Sequence, residues 1–130
     1  MKKVLSFLSL VLVTLAFVSC SQNSPEGVIT KYVADIQAGQ YEDAIDLFYF
    51  KKNLSDKDKQ QYASLFRDKV AKDLDKKGGI KSVEITGTDM AEDGLSANVH
   101  YVLKYGDGTS KSETSKVLKV DDQWKIDAGK

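Results

Sequence analysis

The sequence has very few of the residues that build metal centres, disulfides and catalytic triads. It contains one cysteine, one histidine, one proline and one tryptophan in 130 residues. A single cysteine excludes a disulfide within the chain, and one histidine with one cysteine is too small a set for the usual tetrahedral zinc sites. We therefore expect no metal and no cofactor, and a stability that comes from a packed core.

An excess of charge of either sign is also missing. The chain has 19 basic and 19 acidic residues, and the two signs are interspersed, as in segments 56–59 and 72–77. Proteins that bind nucleic acid present a clustered basic surface, which this pattern does not provide. The sequence thus predicts solvated helix faces in these segments and no nucleic-acid partner.

The first twenty residues have the pattern of an export signal. Lys2 and Lys3 precede an apolar run over residues 4–18, and the small residue Ser19 precedes Cys20. The run is too short to span a bilayer comfortably, and the charged start and small residue are typical of a cleaved signal peptide. We expect residues 1–19 to be removed.

The segment Phe17-Val18-Ser19-Cys20 resembles the lipobox of bacterial lipoproteins, although its first position is not the usual leucine. The resemblance implies that Cys20 is diacylated on sulfur, with chains such as palmitate, and then acylated on its new amino terminus. The alternative is an ordinary signal peptide that leaves Cys20 as a free thiol, which is a liability in an exported protein. The lipoprotein interpretation gives a lipidated tether over residues 20–24 and a domain over residues 25–130.

The same resemblance implies a location in the cell envelope, with the protein lipid-anchored to a membrane. Ser21, rather than aspartate, follows the cysteine. In the commonest bacterial sorting scheme this favours the periplasmic side of the outer membrane.

Residues 24–79 predict three helices. Ser24 and Pro25 suit the start of the first helix, Gly39 suits its end, and Ser55 suits the start of the third. Apolar residues then recur at helical spacing. The positions expected to face inward are Val28, Ile29, Tyr32, Val33 and Ile36 in the first helix, Tyr41, Ala44, Ile45 and Phe48 in the second, and Tyr62, Leu65, Phe66, Val70 and Leu74 in the third.

After Gly79 the apolar period changes from 3.6 to 2, which predicts strands. We expect about four, around residues 83–86, 95–105, 109–120 and 123–127. The predicted fold class is therefore α+β, with three N-terminal helices packed on a curved antiparallel sheet. On the longest strand the residues expected to face the helices are Leu95, Ala97, Val99, Tyr101, Leu103 and Tyr105.

The order of these elements, together with the segments 39–44 and 117–126, resembles the cystatin-like cone of the nuclear transport factor 2 (NTF2) superfamily. More narrowly, it resembles small bacterial lipoproteins of that superfamily whose domain has no known function. The resemblance covers residues 25–128 and implies the fold rather than an activity. The superfamily includes isomerases, dehydratases, polyketide cyclases and non-catalytic binding modules, so fold does not settle function.

We predict no catalytic residue. Strand alternation places His100 on the face away from the helices, and no acidic residue is expected to join the tyrosines inside the cone. The tyrosines are interpreted first as core residues with polar tips, then as ligand contacts, and last as proton donors. The candidate pocket-lining residues are Tyr32, Phe48, Tyr101, Tyr105 and Trp124.

The sequence thus favours a membrane-anchored lipoprotein whose domain binds a small apolar ligand or a partner protein without catalysis. One alternative is an isomerase or dehydratase that uses the cone cavity. Another is a structural envelope protein that forms a homodimer through the exposed face of its sheet. An enzyme would need a buried ionisable group, whereas a binding module needs only tyrosines and apolar walls.

Overall fold

Three helices and five strands make up the part of the chain that the computed structural model describes, residues 23–129. The predicted signal peptide, residues 1–19, and Cys20 lie outside the described residues. In chain order the elements are α1 (Pro25–Gln37), α2 (Tyr41–Asp46), β1 (Phe48–Tyr49), α3 (Asp56–Lys77), β2 (Ile80–Met90), β3 (Ser96–Tyr105), β4 (Ser110–Val120) and β5 (Gln123–Asp127).

The starts of α1 and α3 are where the sequence predicts them. The Ser24 hydroxyl accepts a hydrogen bond from the backbone N–H of Gly27 at 3.0 Å, and the Ser55 hydroxyl accepts one from Asp58 at 3.2 Å. α3 ends at Gly78, whose φ of 77° is in the left-handed region that favours glycine. Local capping chemistry therefore determines the helix boundaries.

The five strands form one sheet in the order β1-β5-β4-β3-β2. Strands β2 to β5 are antiparallel neighbours, while β1 pairs in parallel with β5, Phe48 lying opposite Ile126. The expectation of about four strands fits only roughly, because β1 is a fifth strand, and the placement of Phe48 in the second helix is wrong. A strand of two residues has no periodicity, and β1 forms only because β5, far along the chain, supplies its hydrogen-bond partners.

The side of the sheet that faces the helices, called the inner face here, is built from cross-strand rows. At one end Met90, Ala97, Val117, Ile126 and Phe48 lie side by side across the five strands. The following rows along β3 and β4 are Val99 with Ser115, Tyr101 with Glu113, and Leu103 with Lys111. Because side chains alternate between faces, all of these residues point toward the helices.

The core lies between α1 and the inner face. At the far end of the helix, the Gln37 amide nitrogen donates hydrogen bonds to the carbonyl oxygens of Ile80 and Lys81, at 3.0 and 3.3 Å. These bonds hold the C-terminus of α1 at the start of β2. The main buried cluster comprises Val28, Ile29, Leu47, Ala97, Val99, Tyr101, Val117, Trp124 and Ile126.

Three expectations about burial are wrong. Tyr62 of α3 is 39% exposed. Leu65 of α3 is 70% exposed, and Ala63 is the buried residue of that helix. Leu65 projects about 100° around the helix from Phe66, which faces inward, so it lies beside the apolar stripe rather than in it. Leu95 is 55% exposed, since it precedes β3 and lies beyond the cover of the helices.

The C-terminus of α3 docks on the hairpin between β3 and β4. The backbone N–H groups of Gly106 and Asp107 donate to the carbonyls of Gly79 and Lys77, both at 2.9 Å. A Cβ atom at Gly106 would overlap the carbonyl oxygen of Gly78, so only glycine allows this approach. The Lys77 ammonium also lies 4.6 Å from the centre of the Tyr105 ring.

We predict that truncating Trp124 strongly destabilises the domain. The side chain is 4% exposed and belongs to the main core cluster. A Trp124→Ala change should lower the free energy of unfolding by about 3–5 kcal/mol, measured by urea denaturation. The matched control, Leu65→Ala on the exposed face of α3, should change it by less than about 0.5 kcal/mol. An unchanged midpoint for Trp124→Ala would contradict the core assignment.

Candidate functional site

A strip of polar side chains occupies the inner face of β4. Val117 is fully buried in the core, and strand alternation from Val117 places Ser115, Glu113 and Lys111 on the same face. These three residues, called the polar strip here, lie opposite Val99, Tyr101 and Leu103 of β3. The inner face is therefore apolar at the Ala97–Val117 end and polar along β4 toward the β3–β4 hairpin.

Hydrogen bonds organise this strip. The Tyr101 hydroxyl is 2.9 Å from Ser115 Oγ, and Lys111 Nζ is 2.9 Å from Glu113 Oε1. The Glu113 side chain is 34% exposed and that of Lys111 is 59% exposed. Burial thus decreases from Tyr101 toward Lys111. Solvent reaches the Lys111–Glu113 ion pair, whereas Tyr101 is buried.

Tyr32 projects from α1 toward the same region. Burial raises the pKa of the Tyr32 hydroxyl well above its ordinary value, and the neighbouring Tyr101 and Glu113 raise it further. Burial also raises the pKa of Tyr101, although its hydrogen bond to Ser115 acts in the opposite direction. Both phenols are therefore neutral hydrogen-bonding groups next to a carboxylate.

Aromatic rings connect Tyr32 to the rest of the helical layer. Its ring centroid lies 5.5 Å from that of Phe48 in an edge-to-face arrangement, and 6.3 Å from that of Phe66. Phe50 continues the contacts from Phe48 to Tyr62, with centroid distances of 6.4 and 5.6 Å. This aromatic row joins α1, β1 and α3, and it forms the apolar wall next to the polar strip.

The five candidate pocket-lining residues lie in and around the main core cluster. Tyr101 and Trp124 both belong to that cluster, and Tyr32 and Phe48 pack against it. Tyr32, Tyr101 and Tyr105 also lie near the polar strip, and Phe48 contacts Tyr32. Trp124 is closed within the core, whereas the other four lie toward the polar strip or contact a residue that does.

The expectation that no acidic residue joins the tyrosines is wrong, because Glu113 does so. Sequence reasoning considered the inward positions of β3 and did not continue the alternation along β4. Val117 provided the signal: once it is assigned to the core, Ser115, Glu113 and Lys111 must face the same way.

Asp35 was also missed. This carboxylate on α1 is 2% exposed, and its Oδ1 lies 2.7 Å from Lys31 Nζ one helical turn earlier. Among the described residues its second oxygen, Oδ2, has no hydrogen-bond partner. Buried carboxylate oxygens normally have one, so Asp35 is the most unusual polar group within residues 23–129.

His100 lies on the outer face of the sheet, as strand alternation predicts. Its Nε2 is 2.8 Å from Asp89 Oδ2 and its Nδ1 is 2.9 Å from Thr114 Oγ1. All three side chains are exposed, and they connect β2, β3 and β4 across the sheet. These contacts form a cross-strand network, and each pair of this kind stabilises a sheet by a few tenths of a kcal/mol to about 1 kcal/mol.

A separate cleft of about 400 Å³ lies at the edge of the sheet. Phe48 and Phe50 line it, together with Lys52, Lys125 and Asp121. In the described part of the chain no three histidine, cysteine or acidic side chains are grouped closely enough to hold a metal ion. No helix within residues 23–129 is long and apolar enough to cross a membrane.

This α+β arrangement is similar to that of solved structures, one of which carries an NTF2-like name. A Campylobacter jejuni protein provisionally named an NTF2-like transpeptidase matches with a TM-score of 0.64 and 18% sequence identity, covering 80% of this chain and 97% of that one. A SEC-C motif containing protein from Rhodopseudomonas palustris matches with a TM-score of 0.55 and 16% identity, covering 81% and 76%. At these identities the similarity shows the fold alone.

The chain belongs to the family defined by the Domain of unknown function (DUF4878), whose model matches residues 18–127. The matched residues include Cys20, Tyr32, Tyr101 and Glu113. No curated protein is similar enough to count as a match. The coarse expectation of an NTF2-like domain without a known function is therefore confirmed.

The raised pKa values predict how stability depends on alkaline pH. Unfolded tyrosines ionise near pH 10, whereas Tyr32 and Tyr101 stay protonated in the folded protein to higher pH. Their contribution to stability is complete below pH 10 and is lost as pH rises through the folded-state pKa values. Denaturation between about pH 9 and 11 should show a falling free energy of unfolding, and Tyr32→Phe should make that fall shallower. Tyr62→Phe, on the half-exposed ring, is the control, and an equal effect from it would contradict the prediction.

Proposed function

We propose that this protein is an exported, membrane-anchored lipoprotein whose domain binds a small, mostly apolar ligand without catalysing a reaction. The ligand would lie against the inner face of the sheet, between the aromatic row and the polar strip. One observation carries the proposal: the same face combines half-buried apolar side chains with neutral tyrosine hydroxyls and a solvent-accessible ion pair. A protein partner that inserts an apolar side chain there is the second form of the same proposal.

The apolar part of this surface is incomplete. Val83, Ile85 and Leu103 pack against the core but are only partly buried. Ligand pockets are typically apolar surfaces with a few polar groups that orient the ligand. Tyr32 and Tyr101 would supply these hydrogen bonds, and the Lys111–Glu113 pair would favour a polar group at the solvent end of the ligand.

An uncharged fluorescent probe, N-phenylnaphthylamine, tests the ligand site. It should bind saturably to the Cys20→Ala form, which has no lipid to absorb the probe. Leu103→Ser on the inner face should weaken binding about tenfold or more, because the probe loses contact with a large apolar side chain. Val102→Ser, next to it on the outer face, should leave binding within about twofold. Equal losses in the two variants would contradict a site on the inner face.

The anchor is tested separately. Two or three acyl chains on Cys20 give stable membrane attachment, which one chain would not. Cys20→Ala should move the protein from the membrane fraction to the soluble fraction and remove the acyl mass from its mature form. If the variant remains with membranes and the mature wild-type protein carries no acyl mass, the lipoprotein proposal fails.

A second candidate, an isomerase or dehydratase type of enzyme, is favoured by the position of Glu113 beside Tyr32 and Tyr101. A carboxylate with phenol donors is a common arrangement for general acid–base chemistry. The direct pairing of Glu113 with Lys111, and its partial exposure, make binding the preferred function. Glu113→Gln separates the two, because it should abolish turnover but leave binding of an uncharged probe nearly unchanged.

A further inference from the structure

Two of the large apolar side chains that remain exposed lie at one end of the inner face. Met90 is 52% exposed and Leu95 is 55% exposed, on either side of the turn between β2 and β3. Met90 is in the row of Ala97 and Val117, and the Leu95 carbonyl accepts a hydrogen bond from the Lys119 N–H at 2.9 Å. Met90, Leu95 and Lys119 therefore form a small amphipathic patch, called the end patch here.

The N-terminus of α1 points toward the end patch. The C-terminus of α1 is held at the start of β2 by Gln37, while Val28 and Ile29 near its N-terminus belong to the cluster of Ala97, Val117 and Trp124. α1 thus runs opposite to β2, along the inner face from the row of Ala97 toward the start of β2. Asn23 and Ser24, which precede Pro25, therefore lie at this end.

The chain between this end and Cys20 is short. Asn23 is only three positions after Cys20. Since an extended chain covers at most about 3.6 Å per residue, Cys20 lies within about 11 Å of Asn23. Acyl chains on Cys20 would hold the α1 N-terminal end of the domain at the bilayer surface.

We propose that the end patch contacts the membrane, with Met90 and Leu95 at the lipid interface and Lys119 beside the phosphate groups. This inference rests on the proposed lipid anchor and adds the orientation of the domain. Apolar side chains flanked by lysine suit this position, because the interface accepts the apolar groups and the long lysine side chain reaches the headgroups. The β3–β4 hairpin, at the other end of β3, then points away from the membrane.

Site-directed labelling tests the orientation in the full mature protein, reconstituted in vesicles of phosphatidylethanolamine and phosphatidylglycerol. Because the chain has one cysteine, acylation leaves no free thiol, and an introduced cysteine is the only site for a thiol-reactive fluorophore. We expect Leu95→Cys to be quenched several-fold more strongly than Ser110→Cys by lipids that carry a nitroxide at the headgroup. Ser110 is exposed at the opposite end of the sheet, and neither substitution disturbs the core.

The outcomes separate the two proposals. Equal quenching at residues 95 and 110, in a protein whose mass shows acylation, overturns the orientation and leaves the anchor intact. A mature protein without acyl mass overturns both. Stronger quenching at residue 95 in the acylated protein supports the contact. A Met90→Ser, Leu95→Ser double variant should then also reduce the protection of the β2–β3 turn from added protease, whereas Leu65→Ser should not.

Discussion

The pairing of β4 with β3 is the constraint on which the rest of the structure depends. Ala97 lies opposite Val117, and both belong to the main core cluster beneath α1. The side-chain period of a strand is two, so this one pair determines which face every other residue of β4 occupies. A slip by one residue would expose Val117 and turn Lys116 toward the core. The cost of that exchange, several kcal/mol, is what places Ser115, Glu113 and Lys111 beside the tyrosines.

The long helix α3 packs against α2, where the ring centroids of Tyr41 and Phe66 lie 6.2 Å apart, and it touches the rest of the domain at two further places rather than through a buried face. Near its C-terminus, Gly78 and Gly106 allow the backbones of the helix end and the β3–β4 hairpin to touch. Nearer its N-terminus, Phe66 and Tyr62 contact the aromatic row. A helix held in this way adds little to the core, but it positions Phe66 against Tyr32. The wall of the candidate site therefore depends on glycines that lie outside it.

The sequence predicted the structure correctly where one pattern repeats over several residues. The alternation of β3 predicted which side Ala97 and His100 face, and the residues Ser24 and Ser55 predicted helix starts. It failed where a structure depends on few residues or on distant ones. β1 has two residues and forms only because it pairs with β5. Leu65 lies at the edge of the apolar face of α3, and the packing of Phe66 determines which way that face points. Glu113 was predictable in principle, by extending the alternation from Val117. The burial of Asp35 was predictable in the same way, because it lies seven positions after Val28 and therefore on nearly the same side of the helix.

The two ends of the inner face are suited to different tasks. At the apolar end, Val117 and Trp124 are sealed beneath α1, whose N-terminus lies at the same end. Lys111 lies six residues from Val117 along β4, a distance of about 20 Å, with its ammonium group in solvent. An anchor at the first end would place the polar strip at some distance from the bilayer, open to the aqueous compartment. In that geometry a ligand reaches Tyr32 and Tyr101 from solution, with its polar end at the Lys111–Glu113 pair, rather than by lateral transfer from the lipid. The proposed orientation of the domain would thus determine the source of the proposed ligand.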